Sequence, residues 1–237
     1  MDLMTITPDA SVFLTRKIRY VMGVDLGQSQ DATAISVIEH RAGVLDYNSE
    51  FEQHTNTGTI PQKKADRFNV LYLERLPLGM SYPSMIEHVI NLLARPPLCG
   101  DASTKRADLV VDDSGVGRPV SDLMLERGLK PQRVTITAGS EIKWAGPNRF
   151  HVSKSELVSV VDALLHDGRL KFAAALTEAG NLKDELKDFR RKLSDAGRST
   201  YAARTGRHDD LILAIAIAAW WAGRPPSGAG MGSYAWG

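Results

Sequence analysis

Apolar positions fall into short dense runs separated by polar stretches with glycine and proline, a pattern that alternates strands with helices. Residues 1 to 17 are polar and aperiodic, and a loose lead-in is expected there. Tyr20-Val21-Met22-Gly23-Val24-Asp25 is an apolar run ending in an acid, with Gly27 beyond it, which predicts a buried strand and a turn. Thr33, Ile35 and Val37 alternate within 32–39, and Val44 to Phe51 is expected to pair with that run across Arg41-Ala42-Gly43. An exposed loop is expected over 52–69 and a short strand from Val70 to Leu73. Met85, Ile86, Val89, Ile90, Leu92 and Leu93 recur at helical spacing until Pro96-Pro97. Asp108-Leu109-Val110-Val111-Asp112 repeats the strand-then-acid pattern before Gly115-Val116-Gly117, followed by a helix from Pro119 to Arg127 and a strand from Arg133 to Thr137.

Leu157, Val160, Val161, Leu164 and Leu165 stripe a helix expected from about Ser153 to His166. A helix near 175–188, a basic hairpin-like stretch over 189–205 and a final helix over 208–222 complete the prediction. The most apolar stretch, Leu211 to Ala222, is 12 residues long. A membrane span needs roughly 20, so this helix is expected to be buried inside the protein. The tail from Gly223 to Gly237, rich in glycine and proline, is expected to be flexible. Strands alternating with helices after an antiparallel opening imply an α/β fold of three layers, a central mixed β-sheet flanked by helices. No shift in composition divides it, so one domain is expected over 18–222.

Composition narrows the function. With 237 residues, 43% hydrophobic and 24% charged, the chain can bury a sizeable core, and wholesale disorder is excluded. Lys and Arg number 29 against 28 Asp and Glu, a net charge of +1, so nucleic-acid contacts would have to rest on local patches. Cys99 is the only cysteine, which excludes an internal disulfide and a cysteine zinc site and suits a reducing cytoplasm. Met1 to Thr5 lacks the basic and apolar regions of a signal peptide, so a cytoplasmic protein without a membrane partner is expected.

Carboxylates stand at the ends of three buried elements. Asp25 closes the first strand, Asp112 with Asp113 closes a later one, and Asp209 with Asp210 opens the final apolar helix. Buried charge is costly unless paired or metal-bound, and strand ends beside glycine turns are where α/β folds build sites. If the two strands are neighbours and the last helix crosses them, the acids converge. Aspartates without histidine or cysteine partners suit Mg²⁺ or Mn²⁺, and two such ions about 4 Å apart can activate water for phosphodiester hydrolysis. Asp25 would bridge them. Asp209 also reads as a helix N-cap, and Asp113 as turn chemistry rather than a ligand.

Gly23-Val24-Asp25-Leu26-Gly27 with Asp31-Ala32-Thr33-Ala34, then Val110 to Gly117, then Gly206-Arg207-His208-Asp209-Asp210-Leu211, resemble the nuclease domain of phage terminase large subunits. His151-Val152-Ser153-Lys154 and Leu164 to Lys171 are similar to that family too, so the likeness spans roughly 18–222. The resemblance implies a ribonuclease H-like fold and a metal-dependent endonuclease that cuts DNA during viral genome packaging, encoded by a phage or prophage in a bacterial host. It carries over Asp25, Asp112 and one or both of Asp209 and Asp210 as ligands of two Mg²⁺ or Mn²⁺ ions. Family members often have threonine or asparagine where this chain has Ser114, and proline where it has Ser153; neither position is a proposed ligand. The family's ATPase carries a glycine-rich phosphate loop ending in Gly-Lys-Ser or Gly-Lys-Thr. That loop is missing here, since Gly58 to Lys64 lacks its second glycine. Without an ATP site the chain is expected not to translocate DNA alone. Its implied partners are double-stranded DNA and a separate ATPase motor chain, a portal or a small terminase subunit.

Basic residues gather ahead of the last acids. Lys183, Lys187, Arg190, Arg191, Lys192, Arg198, Arg204 and Arg207 outnumber Asp184, Glu185, Asp188 and Asp195, a patch that could hold phosphates. Lys183 to Lys187 reads equally as a solvated helix face, which leaves Arg190 to Lys192 and Arg198 to Arg207 as the better DNA contacts. Lys154, a cation at a helix start, faces substrate phosphate in the functional reading. His208 either orients a ligand or the scissile phosphate, or is structural. Trp220 and Trp221 read as packing residues. Three alternatives stay open: a nuclease like Holliday-junction resolvases, an ATPase like actin and sugar kinases, and an inactive DNA-binding prophage remnant. For the ATPase, Asp25-Leu26-Gly27 and Asp113 to Gly117 loosely resemble the two phosphate loops.

Overall fold

Both faces of the first strand are apolar, and this places it in the middle of the molecule. In the computed structural model, which describes residues 18–27, 31–45, 64–115, 117–139, 141–195 and 209–224, β1 (Ile18–Asp25) sends Val21 into one core and Tyr20, Met22 and Val24 into another. It pairs antiparallel with β2 (Ala34–Leu45) and parallel with β4 (Asp108–Asp112). Beyond β2 lie β3 (Lys64–Arg75) and β8 (Leu170–Phe172). Beyond β4 lie β5 (Gln132–Thr137), β7 (Arg149–Ser153) and β6 (Lys143–Gly146). The eight-stranded mixed sheet runs β6-β7-β5-β4-β1-β2-β3-β8.

Helices cover both faces, as the alternating pattern predicts. On one side lie α1 (Tyr82–Leu93) and α2 (Gly117–Glu126). On the other lie α3 (Lys154–His166), α4 (Ala179–Asp195) and α5 (Asp210–Ala222). Local chemistry starts α1 and α3, where the Ser81 and Ser153 hydroxyls accept the N–H groups of Ser84 and Glu156. Every residue of α5 is buried, which explains its lack of a polar face. Gly23 lets it settle onto β1, because a Cβ there would sit 2.2 Å from the Ala214 carbonyl oxygen. Trp220 and Trp221 pack on Phe150 at 5.7 and 5.4 Å, confirming their structural reading. No helix among the described residues is long and apolar enough to cross a membrane.

Several expectations need correcting. The hairpin across Arg41-Ala42-Gly43 does not form: β2 runs on through Gly43 (φ +66°), absorbing the irregularity as a register shift against β3. It pairs with β1 on one side and β3 on the other. The expected loop over 52–69 is strand from Lys64 onward, so Val70 to Leu73 is only part of β3, while 46–63 lies outside the described residues. The basic hairpin-like stretch is helical through Asp195, and 196–205 lies outside the described residues, as do the lead-in and the tail past Arg224. Strands β6, β7 and β8 have no counterpart in the pattern-based prediction.

Candidate active site

Asp25 is the last residue of β1 and Asp112 the last of β4. These strands are parallel neighbours with Val24 opposite Val111, so the two acids end side by side at the carboxyl edge of the sheet. Side chains alternate along a strand, and Gly23 and Val110 face α5; two residues on, Asp25 and Asp112 face the same way. Helix α5 then delivers Asp209 and Asp210 over them. Burial raises the Asp25 pKa well above its ordinary value, and the charges of Asp112, Asp210 and Asp209 add to the rise, against a smaller pull from Lys154. Asp112 is raised by burial too, while the Ser114 N–H at 2.8 Å and a hydrogen bond shared with Asp25 favour its charged form. The sheet and the last helix thus bring Asp25, Asp112, Asp209 and Asp210 into one electrostatic unit.

The adjacent aspartates have different surroundings. Asp210 is 5% exposed and accepts a hydrogen bond from Arg75 Nε at 2.8 Å. Asp209 is half-buried at the N-cap position, yet its side chain makes no cap hydrogen bond; it accepts Lys154 Nζ at 2.6 Å instead. Lys154 therefore meets an acid of the site. Asp113 is 2% exposed, accepts the Ser121 hydroxyl, and donates its own N–H to the Val134 carbonyl at 2.8 Å. These bonds support its structural reading.

Arg75 and Glu185 are the residues the sequence reading missed. Arg75 closes β3, and its guanidinium reaches both Asp210 and the Glu185 carboxylate. Glu185 also accepts the Ile212 N–H at 3.1 Å, and burial pushes its pKa up to about 7 against the pull of that bond and of Arg75. A signal was present: Glu185 lies three residues after the core residue Leu182, placing an acid on the apolar side of an otherwise polar helix.

Carboxylate oxygens alone make up the donor set, and this fits a hard divalent cation. Among the described residues, no three His, Cys, Asp or Glu side chains stand at metal-cage spacing, and Arg75 and Lys154 hold two of the four acids. Of the expected DNA contacts only the Lys154 side chain is described. Arg190, Arg191 and Lys192 lie on α4 with side chains outside the described residues, and Arg198, Arg204, Arg207 and His208 lie outside them altogether. Exposed Lys187 pairs with Asp184 at 2.9 Å, as a solvated helix face would.

No protein-family model matches the sequence, and no curated protein matches it. Among solved structures, the chain is similar to the large terminase nuclease from thermophilic phage G20c, at 18% identity and a TM-score of 0.50, over 87% of this chain and 83% of that one. The large terminase of a second thermophilic bacteriophage aligns at 10% identity and TM-score 0.41, over 72% of this chain and 31% of that one. The Mn-soaked terminase nuclease domain of human cytomegalovirus aligns at 12% identity and TM-score 0.42, over 90% of this chain and 85% of that one. The likeness to the phage G20c nuclease shows the fold: a mixed sheet flanked by helices, of the ribonuclease H-like kind expected from the sequence.

Proposed function

We propose that the chain is a divalent-metal-dependent endonuclease of the terminase kind, hydrolysing phosphodiester bonds in double-stranded DNA. The observation that carries this reading is the meeting of Asp25 and Asp112 with the acidic start of α5, inside a fold shared with a phage terminase nuclease. Asp25, Asp112 and Asp210 would hold two Mg²⁺ or Mn²⁺ ions. The chemistry supplied by ions held there would be activation of a water and stabilisation of the leaving oxygen. Asp210 is the better ligand of its pair, because it is the more buried, at 5% exposed. Asp209 keeps Lys154 at the rim, where an ammonium can meet a substrate phosphate. In this role the partners would be duplex DNA and, for packaging, an ATPase on a separate chain, a portal or a small terminase subunit.

The test is plasmid nicking in Mn²⁺ with wild type and Asp25→Ala. Removing the central carboxylate should lower the rate by about a hundred- to a thousandfold, an effect of the size seen when a charge-stabilising group is lost. Circular dichroism should show the variant folded. Undiminished nicking by folded Asp25→Ala rejects the proposal, and strong preference for four-way junctions over linear duplex moves it to the resolvase kind.

A further inference from the structure

Helix α5 opens under an unusual division of labour. The first N–H groups of a helix need acceptors from outside it, and an N-cap aspartate normally supplies one to the third helical residue. Asp209 occupies the N-cap position, but its carboxylate has turned to Lys154. The third helical residue is Ile212, and its N–H is taken by Glu185, which arrives from α4. The other Glu185 oxygen accepts from Arg75 of β3, and Arg75 donates in turn to Asp210, the first residue of α5. The connection therefore runs from the Ile212 N–H through Glu185 and Arg75 to Asp210, tying three elements together. The Glu185 and Asp210 side chains are 7% and 6% exposed, so neither contact is a solvated surface pair.

Resting on the two-ion reading above, we infer that Arg75 and Glu185 are positioning residues for cation binding. Glu185 caps α5 in place of Asp209, and Arg75 fixes the carboxylate of Asp210 toward Asp25. With the cap supplied from outside, the Asp209 carboxylate is available to Lys154 while Asp210 stays with Arg75. The connection uses two nitrogens of one planar fork, Nε toward Asp210 and Nη2 toward Glu185, a spacing that the single ammonium nitrogen of a lysine does not reproduce. Charge at position 75 is therefore not sufficient.

The experiment titrates Mn²⁺ into the 237-residue chain, free ion followed by electron paramagnetic resonance, with thermal unfolding measured alongside. Arg75→Lys keeps the charge and loses the fork. Glu185→Gln keeps one oxygen for the Ile212 N–H and loses the second acceptor for Arg75. Both should remain folded at 25 °C and bind Mn²⁺ about tenfold or more weakly, the usual effect of losing an outer partner of a ligand. Asp184→Asn, on the same helix in an exposed ion pair, should bind as wild type does. A structural staple alone would lower the unfolding temperature and leave the affinity of the folded protein unchanged; that result in either folded variant overturns the inference. Wild-type protein that takes up no Mn²⁺ overturns the inference and the two-ion reading together. Wild-type uptake with unchanged variants overturns only the inference.

Discussion

The His40 ring lies 4.7 Å from that of Phe68, with Nε2 3.0 Å from Asp66 Oδ2. Burial lowers its pKa from the ordinary 6.5; the Asp66 carboxylate opposes that shift and Arg19 reinforces it, so burial wins. A group with a depressed folded pKa binds its proton more readily in the unfolded chain. The stability it contributes is present above pH 6.5 and is lost as pH falls through the folded pKa. Glu185 runs the other way: raised from 4.5 to about 7, it contributes stability at low pH that is lost as pH rises toward 7. The two contributions oppose each other, so His40 is isolated only by difference. His40→Gln should lose less stability than wild type on going from about pH 7 to about pH 5, as read from urea midpoints; parallel curves would remove His40 from the account. At this scale Asp25 and Asp112 were legible because each ends an apolar run, where a charge has no cheap local explanation. Arg75 was not, because its meaning lies in a contact with Glu185, 110 residues away, and Glu185 showed only as an acid on the apolar side of α4.

Among elements, α5 on β1 is the contact that delivers Asp210 to Asp25, and Gly23 sets its closeness. A Cβ there would lie 2.2 Å from the Ala214 carbonyl oxygen and 2.9 Å from the Ala218 Cβ, and neither atom can swing aside as a flexible side chain would. Gly23→Ala should therefore cost about 1–3 kcal/mol by overpacking and, on the proposed two-ion reading, should also loosen Mn²⁺ binding as α5 lifts from the sheet. Gly180→Ala makes the same chemical change in α4, where nothing lies within 4 Å, and should be neutral or stabilising by up to ~1 kcal/mol. Urea unfolding of the pair decides; equal costs would show that the α5 contact is not what Gly23 protects. Legibility followed length and burial. Buried β1 and β4 and the apolar α5 were readable, whereas β6, β7 and β8, at 4, 5 and 3 residues, are too short and too partly exposed for a period to register. Arg41-Ala42-Gly43 misled because glycine marks a turn and a strand irregularity alike, and only the partner strand shows which.

At the scale of the whole molecule, the sheet separates two cores, and the acids face only one of them. The layered α/β class follows from the alternation of patterns along the chain, but the placing of β1 at the centre comes from pairings no local window contains. The division makes stability and site geometry separable. Ile86 of α1 and Leu211 of α5 are both fully buried, the first in the core beneath α1 and α2, the second in the core beneath α5. Truncating either to alanine should cost about 2–5 kcal/mol, since each removes a buried branched chain from a packed interior. Their effects on the site should differ. Leu211 adjoins Asp210, so a cavity there lets the acidic start of α5 shift, and on the proposed two-ion reading Mn²⁺ affinity should fall. Ile86 is shielded from the acids by the sheet, and Ile86→Ala should bind Mn²⁺ as wild type does at temperatures where it is folded. Unfolding curves with Mn²⁺ titrations on both variants measure the two quantities independently. Equal losses of affinity would mean that the sheet transmits strain from one core to the other, and that the acids depend on the whole fold rather than on the face they share with α5.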